Sequence, residues 1–238
     1  MTGIETGGER VRRQPIEAAD RTIGKPCPVC RARGPTPFAQ VDGRHYRRCG
    51  TCEACFLDPG QRLATTAEHA HYLTHRNDPG DTGYRNFLAR LAGPLLDRLA
   101  PGSSGLDYGC GPGPALAAML REAGHRVVLY DPFFEPDQAV LDDSYDFVTC
   151  TEVAEHFHRP AEEFDRLDRL LRPGGLLAVM TSFRSDDVRF ADWHYRRDPT
   201  HVVFYREATF RTLSAQRGWD CTIPADNVAL MRKSRDNG

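Results

Sequence analysis

Hydrophobic residues in the second half of the chain form short continuous runs separated by amphipathic stretches. Four apolar runs predict strands buried on both faces: Leu106–Tyr108, Val127–Tyr130, Phe147–Cys150 and Leu176–Met180. Apolar positions at three- and four-residue steps predict helices at Pro114–Ala123, from Pro160 to Pro173, and at Glu207–Gln216. This alternation predicts an α/β fold with a doubly wound, mostly parallel sheet. A terminal hairpin is expected from Cys221–Pro224 and Val228–Met231.

The chain before this alternation divides into three parts. Residues 1–24 lack an apolar period and are expected to be a disordered tail. Residues 25–62 are rich in Cys, Pro and Arg, and their short alternating stretches suit small hairpins. Residues 63–102 are expected to form a linker or lid and one helix, which Pro94 should kink or restart. The α/β domain then occupies residues 103–238.

A glycine-rich turn follows the first buried strand. Asp107 ends that strand, and Gly109, Gly111 and Gly113 follow at alternate positions before the next helix. Glycine allows a sharp turn and a close ligand approach, and the N-terminus of the helix offers free N–H groups. Pro114 stands where a dinucleotide site needs its third glycine, which argues against NAD. The turn therefore predicts a different nucleotide-like ligand at the carboxyl ends of the strands.

Three segments in the right order resemble the motifs of class I S-adenosylmethionine-dependent methyltransferases. Leu106–Gly113 resembles their motif I, Tyr145–His156 their fourth-strand motif, and Leu170–Leu177 the entry to their fifth strand. The resemblance covers Ser104 to Lys233. It implies a sheet of the seven-stranded type and methyl transfer from S-adenosylmethionine to an O, N or C nucleophile.

The same resemblance implies a set of cofactor contacts. Asp107 and the neighbouring turn would hold the methionine moiety, Asp131 the ribose, and the residues after the fourth strand the sulfonium. A segment rich in His and Tyr, with His69, His71, Tyr72 and His75, could close over the cofactor as a lid. The expected cofactor-binding residues are Asp107, Tyr108, Gly109, Cys110, Gly111, Gly113, Asp131, Phe133, Thr151, Glu152 and Tyr72.

One departure from the family concerns the chain between Asp131 and Tyr145. It is too short for the helix and strand that the family usually has there. The sheet is therefore expected to be trimmed at this edge. Phe133 is expected to lie in a loop, where it could stack on adenine.

Four cysteines predict a structural zinc site. Cys27 and Cys30 form one Cys-x-x-Cys pair, and Cys49 and Cys52 form a second pair eighteen residues later. A redox pair is the alternative, and Cys55 remains open as a further ligand. A separate zinc domain would unfold on chelation while cofactor binding stayed largely intact. The combination resembles methyltransferases with an N-terminal zinc-ribbon-like domain, including sugar C-methyltransferases and some ribosomal RNA methyltransferases.

Histidines after the fourth and fifth strands are the candidate catalytic residues. His201 is the first candidate for a base or acceptor ligand, because imidazole titrates near neutral pH, and Asp198 would orient it. His156 is the second candidate. The alternatives are a loop-stabilising hydrogen bond between Asp198 and His201, and packing of His156 beside the cofactor.

The acceptor class follows only in part from the sequence. No run of interleaved basic and aromatic residues marks an RNA platform, which favours a small molecule or a sugar nucleotide. An RNA methyltransferase and a non-catalytic zinc-ribbon RNA-binding protein remain alternatives, as does a nucleotide-dependent oxidoreductase. No apolar run approaches the roughly 20 residues of a membrane span. A cytoplasmic protein without a membrane partner is expected, and its oligomeric state stays open.

Overall fold

The computed structural model describes residues 24–74 and 78–235. Its strands are β1 (Thr36–Val41), β2 (Arg44–Arg48), β3 (Cys55–Leu57), β4 (Ser104–Tyr108), β5 (Arg126–Tyr130), β6 (Tyr145–Thr151), β7 (Leu171–Met180), β8 (Val203–Phe204), β9 (Asp220–Ala225) and β10 (Val228–Arg232). Its helices are α1 (Thr65–Tyr72), α2 (Thr82–Leu96), α3 (Ala115–Glu122), α4 (Pro160–Arg169), α5 (His194–Arg197) and α6 (Glu207–Arg217).

The larger sheet has the strand order β5-β4-β6-β7-β10-β9. Strand β4 pairs in parallel with β5 and β6, and β6 pairs in parallel with β7. Strand β10 pairs antiparallel with β7 and β9, which forms the predicted terminal hairpin. The predicted α/β fold with a mostly parallel sheet is confirmed.

The outer edge of this sheet ends at β5 within the described residues. The connection from β5 to β6 forms a short 3-10 helix, Gln138–Leu141, in place of a further strand. An isolated bridge between Asp131 and Glu135 closes the loop that contains Phe133. The sheet therefore has six strands in the described chain, with the trimmed edge on the side of Asp131.

Two predicted helix limits were wrong. Helix α2 does not restart at Pro94 but runs through it, because this residue lies in the last turn and the missing N–H removes one late helical bond. Helix α4 ends at Arg169, and β7 already begins at Leu171. Pro173 disfavours a helical conformation in the residue before it, so the chain becomes extended earlier than the apolar spacing suggested.

The cysteine-rich segment shares a sheet and a core with the rest of the chain. Strand β3 pairs antiparallel with β8, so the small sheet has the order β1-β2-β3-β8. The Thr209 hydroxyl on α6 donates to the Cys52 carbonyl over 2.8 Å, and the Ala161 N–H on α4 donates to the Pro28 carbonyl over 2.9 Å. The predicted domain boundaries stay a prediction. These contacts leave the segment without an isolated core of its own.

None of the helices in the described ranges has the length and apolar character that crossing a bilayer would require.

Candidate functional site

The turn after β4 is built around glycines at positive φ. Gly109 has φ +80° and Gly111 has φ +63°, a region that favours glycine. A Cβ on Gly109 would lie 2.5 Å from Cγ2 of Val153. The Gly109 N–H donates to the Tyr130 carbonyl over 2.7 Å, which ties the turn to the end of β5. This position accepts no side chain without displacing the segment after β6.

Asp131 organises the turn from the neighbouring strand. Its carboxylate accepts hydrogen bonds from the backbone N–H of Gly111 over 3.1 Å, of Phe133 over 2.8 Å and of Phe134 over 3.2 Å. The carboxylate therefore holds the β4 turn and the β5 loop together. The predicted ribose contact of Asp131 remains a prediction.

Asp107 lies beneath the turn and is almost inaccessible. Its Oδ1 accepts a hydrogen bond from the Thr149 hydroxyl over 2.7 Å. Burial raises the pKa of Asp107 to about 6, although the hydrogen bond from Thr149 acts in the opposite direction. The carboxyl group thus titrates close to neutral pH, at the end of the strand that leads into the turn.

The remaining predicted turn residues differ in what they contact. The Tyr108 hydroxyl donates to Glu163 over 2.6 Å and accepts from Arg166 over 3.0 Å, so this side chain reaches α4. Burial raises the pKa of the Cys110 thiol to about 12, which keeps it protonated. The Gly113 carbonyl accepts a hydrogen bond from the N–H of Ala115, the first residue of α3, over 2.8 Å.

Helix α1 brings the predicted lid residues onto this turn. The His69 ring stacks on Phe133 with a centroid separation of 4.7 Å and an interplanar angle of 7°. The Tyr72 ring lies 5.7 Å from Phe133 and 5.3 Å from His156. One face of Phe133 is therefore already covered, so adenine could stack only on the other face or displace His69. His75 lies outside the described residues.

Two carboxylates meet one tyrosine beyond the end of β6. The Tyr195 hydroxyl lies 2.5 Å from Oε1 of Glu155, 3.3 Å from Oε2 of Glu152 and 2.9 Å from Oγ1 of Thr181. Burial and the neighbouring Glu155 charge raise the pKa of Glu152 to about 9. Thr151 lies beside them, and its hydroxyl oxygen is buried without a hydrogen-bond partner among the described residues.

The three predicted catalytic residues lie next to this group. Nδ1 of His201 lies 2.7 Å from the Tyr195 carbonyl oxygen, and Nδ1 of His156 lies 3.2 Å from the Thr200 carbonyl oxygen. The His156 and His201 rings are 4.7 Å apart. Burial lowers the pKa of His201, which favours the neutral ring.

Asp198 has a different arrangement from the one expected. Its Oδ2 lies 3.9 Å from Nε2 of His201, beyond hydrogen-bond distance, and 3.2 Å from Nε2 of His71. Burial opposes ionisation of Asp198, but hydrogen bonds from the Thr200 hydroxyl and N–H lower its pKa to about 2. The orienting hydrogen bond on His201 therefore involves the Tyr195 carbonyl, while Asp198 fixes its own loop.

A cavity of about 850 Å³ opens beside this cluster. Glu152 and Tyr195 form part of its wall. Its other charged residues come from separate elements and include the basic set Arg90, Arg184, Arg206 and Arg211 and the acidic set Glu53, Glu207 and Asp226. The sequence pattern did not indicate this cavity, Glu155 or the Tyr195 hydroxyl. The available signals were the Glu-His pair that contains Glu155 and the Trp-His-Tyr sequence that contains Tyr195.

The four predicted zinc ligands form one buried group. Their sulfur atoms all lie within 4.8 Å of one another, with 3.8 Å between Cys27 and Cys52 and 3.6 Å between Cys30 and Cys49. A Zn–S bond of about 2.3 Å places tetrahedral sulfurs about 3.8 Å apart. Cys55 lies in β3 outside this group. The cluster has the donor set and spacing of a site that could bind zinc.

Two similar turns build this cluster. The Val29 N–H points at the Cys27 sulfur and the Thr51 N–H at the Cys49 sulfur, each over 3.4 Å. The residue after the second cysteine of each pair, Arg31 or Glu53, has positive φ and closes its turn. Backbone N–H groups directed at sulfur stabilise thiolates, as a metal site requires.

The fold and the site together define an α/β methyltransferase. A family model described as a methyltransferase domain matches residues 81–222. The chain belongs to this methyltransferase family, and the prediction of a methyltransferase is confirmed.

Comparisons with other known proteins add similarities of fold. A search of curated proteins finds no match to this chain. The Burkholderia thailandensis 1,6-didemethyltoxoflavin-N1-methyltransferase, solved with 1,6-didemethyltoxoflavin and S-adenosylhomocysteine, has a TM-score of 0.48 and 18% identity over 84% of this chain and 99% of that chain. An O-methyltransferase family protein from Burkholderia thailandensis has a TM-score of 0.45 and 18% identity over 79% of this chain and 80% of that chain. Family membership rests on the match over residues 81–222.

Proposed function

We propose that the protein transfers a methyl group from S-adenosylmethionine to a small-molecule acceptor. The observation that carries this proposal is the glycine turn at Gly109 and Gly111, bordered by the carboxylates of Asp107 and Asp131. A Cβ on Gly109 would meet Val153, so the turn keeps its shape only with glycine, and the bare glycine backbone lets a cofactor approach closely. Family membership supports the same cofactor. When bound, S-adenosylmethionine supplies an electrophilic methyl group on a sulfonium.

The residues divide into a donor side and an acceptor side. On the donor side, Asp107 would bind the amino group of the methionine moiety. Asp131, Phe133 and Tyr72 would contact the nucleoside. Glu152 comes directly after β6 and also lines the cavity, so it would connect the donor side with the acceptor side. An in-line displacement then needs alignment of the acceptor more than covalent help from the protein.

Two features support a small, polar acceptor. The cavity of about 850 Å³ falls within the roughly 300–1,000 Å³ range of small-molecule sites. Each arginine of its wall forms an ion pair with a carboxylate, so the wall offers balanced charge to a polar acceptor such as a sugar nucleotide. The test is incubation with labelled cofactor and a fractionated cell extract. Label in small metabolites supports the proposal, and label confined to RNA would replace it with RNA methylation.

On the acceptor side, His201 would either take the acceptor's proton or hold the acceptor, with His156 and Asp198 in support. Its Nδ1 is engaged by the Tyr195 carbonyl, which leaves Nε2 as the reactive nitrogen. Tyr195 connects this group to the cavity, because its hydroxyl bonds Glu155 while its ring lines the wall. The arrangement keeps proton transfer away from bulk water.

Cofactor affinity should depend on pH through Asp107. Only the ionised carboxylate attracts the ammonium of the methionine moiety, so below the Asp107 pKa of about 6 binding must first remove a proton. Affinity should therefore rise by about tenfold per pH unit up to about pH 6 and then level off. Calorimetric titration across this range measures the profile. Asp107→Asn should bind weakly at every pH, and a wild-type affinity that is flat between about pH 5 and 7 would contradict the assignment.

Replacement of His201 should separate turnover from cofactor binding. We expect His201→Ala to lower the methyl-transfer rate by about 100-fold, in line with loss of a general base or an acceptor ligand. Its cofactor dissociation constant should stay within about twofold, because His201 lies on the acceptor side. His45 is a half-buried histidine on β2, and the variant His45→Ala serves as the control with unchanged turnover. Equal losses in both quantities for His201→Ala would assign this residue a structural role.

A further inference from the structure

A second group of possible metal ligands lies beside the acceptor cavity. One ligand atom each of Glu155, His156 and His201 lies within 4.8 Å of the other two. Nε2 of His156 is 3.9 Å from Oε1 of Glu155. These residues come from the segment after β6 and from the loop before β8, so the site depends on the tertiary fold. It is separate from the four-cysteine cluster.

Hydrogen bonds define which ring nitrogens of His156 and His201 are available to a metal ion. Nδ1 of His201 lies 2.7 Å from the Tyr195 carbonyl oxygen, and Nδ1 of His156 lies 3.2 Å from the Thr200 carbonyl oxygen. A carbonyl oxygen only accepts, so each Nδ1 carries the proton and Nε2 of the neutral ring presents a lone pair. Metal-ligating histidines are typically oriented in this way, by donation of the other ring N–H to a carbonyl or carboxylate.

Glu155 supplies the negative charge that a cation would neutralise. Its side chain is 0% exposed. Oε1 accepts from Tyr195, while Oε2 is buried without a hydrogen-bond partner in the part of the chain that the structure describes. Among the described residues, Glu155 has an ion-pair contact with His156, where Oε1 of Glu155 lies 3.9 Å from Nε2 of His156. A buried carboxylate is costly unless a cation or enough donors compensate it.

We propose that Glu155, His156 and His201 bind one divalent transition-metal ion. Two imidazole nitrogens and one carboxylate form a donor set that suits Zn²⁺ and neighbouring first-row metals better than Mg²⁺ or Ca²⁺. Tyr195 links this site to the cavity wall. The role of this metal rests on the proposed function. In methyl transfer, an oxygen of the acceptor would complete the coordination of the metal, and His201 would act as a metal ligand instead of a base.

Metal stoichiometry of the full-length protein tests this site. After dialysis against excess Zn²⁺ and removal of free metal, elemental analysis should find two zinc ions per wild-type chain. His201→Ala and Glu155→Gln should each retain one, held by the four cysteines, whereas His45→Ala retains two. One zinc per wild-type chain, or the same number in wild type and both site variants, would overturn the proposal.

A spectrum of the wild-type protein provides a test that does not depend on variants folding. Substitution by Co²⁺ should give the thiolate charge-transfer bands of the cysteine site and, at higher occupancy, additional d–d bands without further thiolate absorption. If the thiolate spectrum alone develops at saturating Co²⁺, the second site does not exist. A cofactor titration on the same preparation separates this inference from the proposed function. Cofactor binding with one metal refutes only the metal site, and two metals without cofactor binding refute only the proposed function.

Discussion

Replacement of Cys52 by alanine should lower the midpoint of thermal unfolding of the whole chain by at least about 10 °C. Structural zinc in zinc-finger peptides contributes an apparent binding free energy of about 10–16 kcal/mol, and three remaining thiolates retain only part of it. A loss of about 5 kcal/mol corresponds to about 10–20 °C for a chain of this size. Calorimetry of the wild-type and variant proteins measures the shift.

The shift should occur in a single transition, and methyl transfer should be lost with it. The Cys52 carbonyl accepts from Thr209 on α6, and β3 pairs with β8, which follows the loop that carries His201. Loss of the metal would therefore disturb the acceptor side of the site. Chelation of zinc should have the same two effects in the unmodified protein.

Cys55→Ala provides the matched control. Cys55 is also completely buried, but it lies in β3 outside the four-sulfur group. We expect this variant to retain the zinc predicted at the four cysteines and to lose only about 2–4 °C, the cost of one small buried group. An unchanged unfolding transition of the remaining chain after chelation, with methyl transfer intact, would instead show that residues 25–62 fold as an independent domain.

Gly109→Ala should weaken S-adenosylmethionine binding by at least about 100-fold, or about 2.7 kcal/mol. The new Cβ would lie 2.5 Å from Val153, and the residue has φ +80°, so the turn must move away from its position. Because the Gly109 N–H is bonded to the Tyr130 carbonyl, this movement also breaks the link to β5. Calorimetric titration of the cofactor measures the loss.

Gly124→Ala separates the effect on the site from general backbone strain. Gly124 has φ +89°, similar to Gly109, but a Cβ there meets nothing within 4 Å. It follows α3, away from the turn, so its cost should be limited to about 1–2 kcal/mol of stability. Cofactor affinity should not change. If both alanine variants bind the cofactor as tightly as the wild type, the Gly109 turn is not the cofactor site.

Much of the catalytic fold was predictable because its signals are local. Continuous apolar runs marked β4, β5, β6 and the end of β7, and glycine at alternate positions marked the turn at Gly109. The helix limits failed where a backbone effect overrode apolar spacing. Leu170 and Leu171 look helical by spacing, but Pro173 favours extended backbone before it, and β7 begins at Leu171.

Side-chain assignments were less predictable, because neighbours from distant parts of the chain determine them. Tyr108 lies in the predicted turn, yet its hydroxyl bonds Glu163 and Arg166 on α4. Phe133 lies in the expected loop, but His69 of α1 stacks on it. Asp198 lies near His201, but the Tyr195 carbonyl is the group at hydrogen-bond distance from His201. No local pattern encodes these pairings.

The sequence by itself determined most strands and helices of the α/β sheet, its trimmed edge, the glycine turn and the two cysteine pairs, since each depends on residues close together in the chain. The tertiary structure decided how these parts meet. It joined β3 to β8, formed the cavity and brought Glu155 to His156 and His201. The physical reason is that burial and long-range pairing select contacts between segments far apart in sequence, and such contacts leave no periodicity to detect.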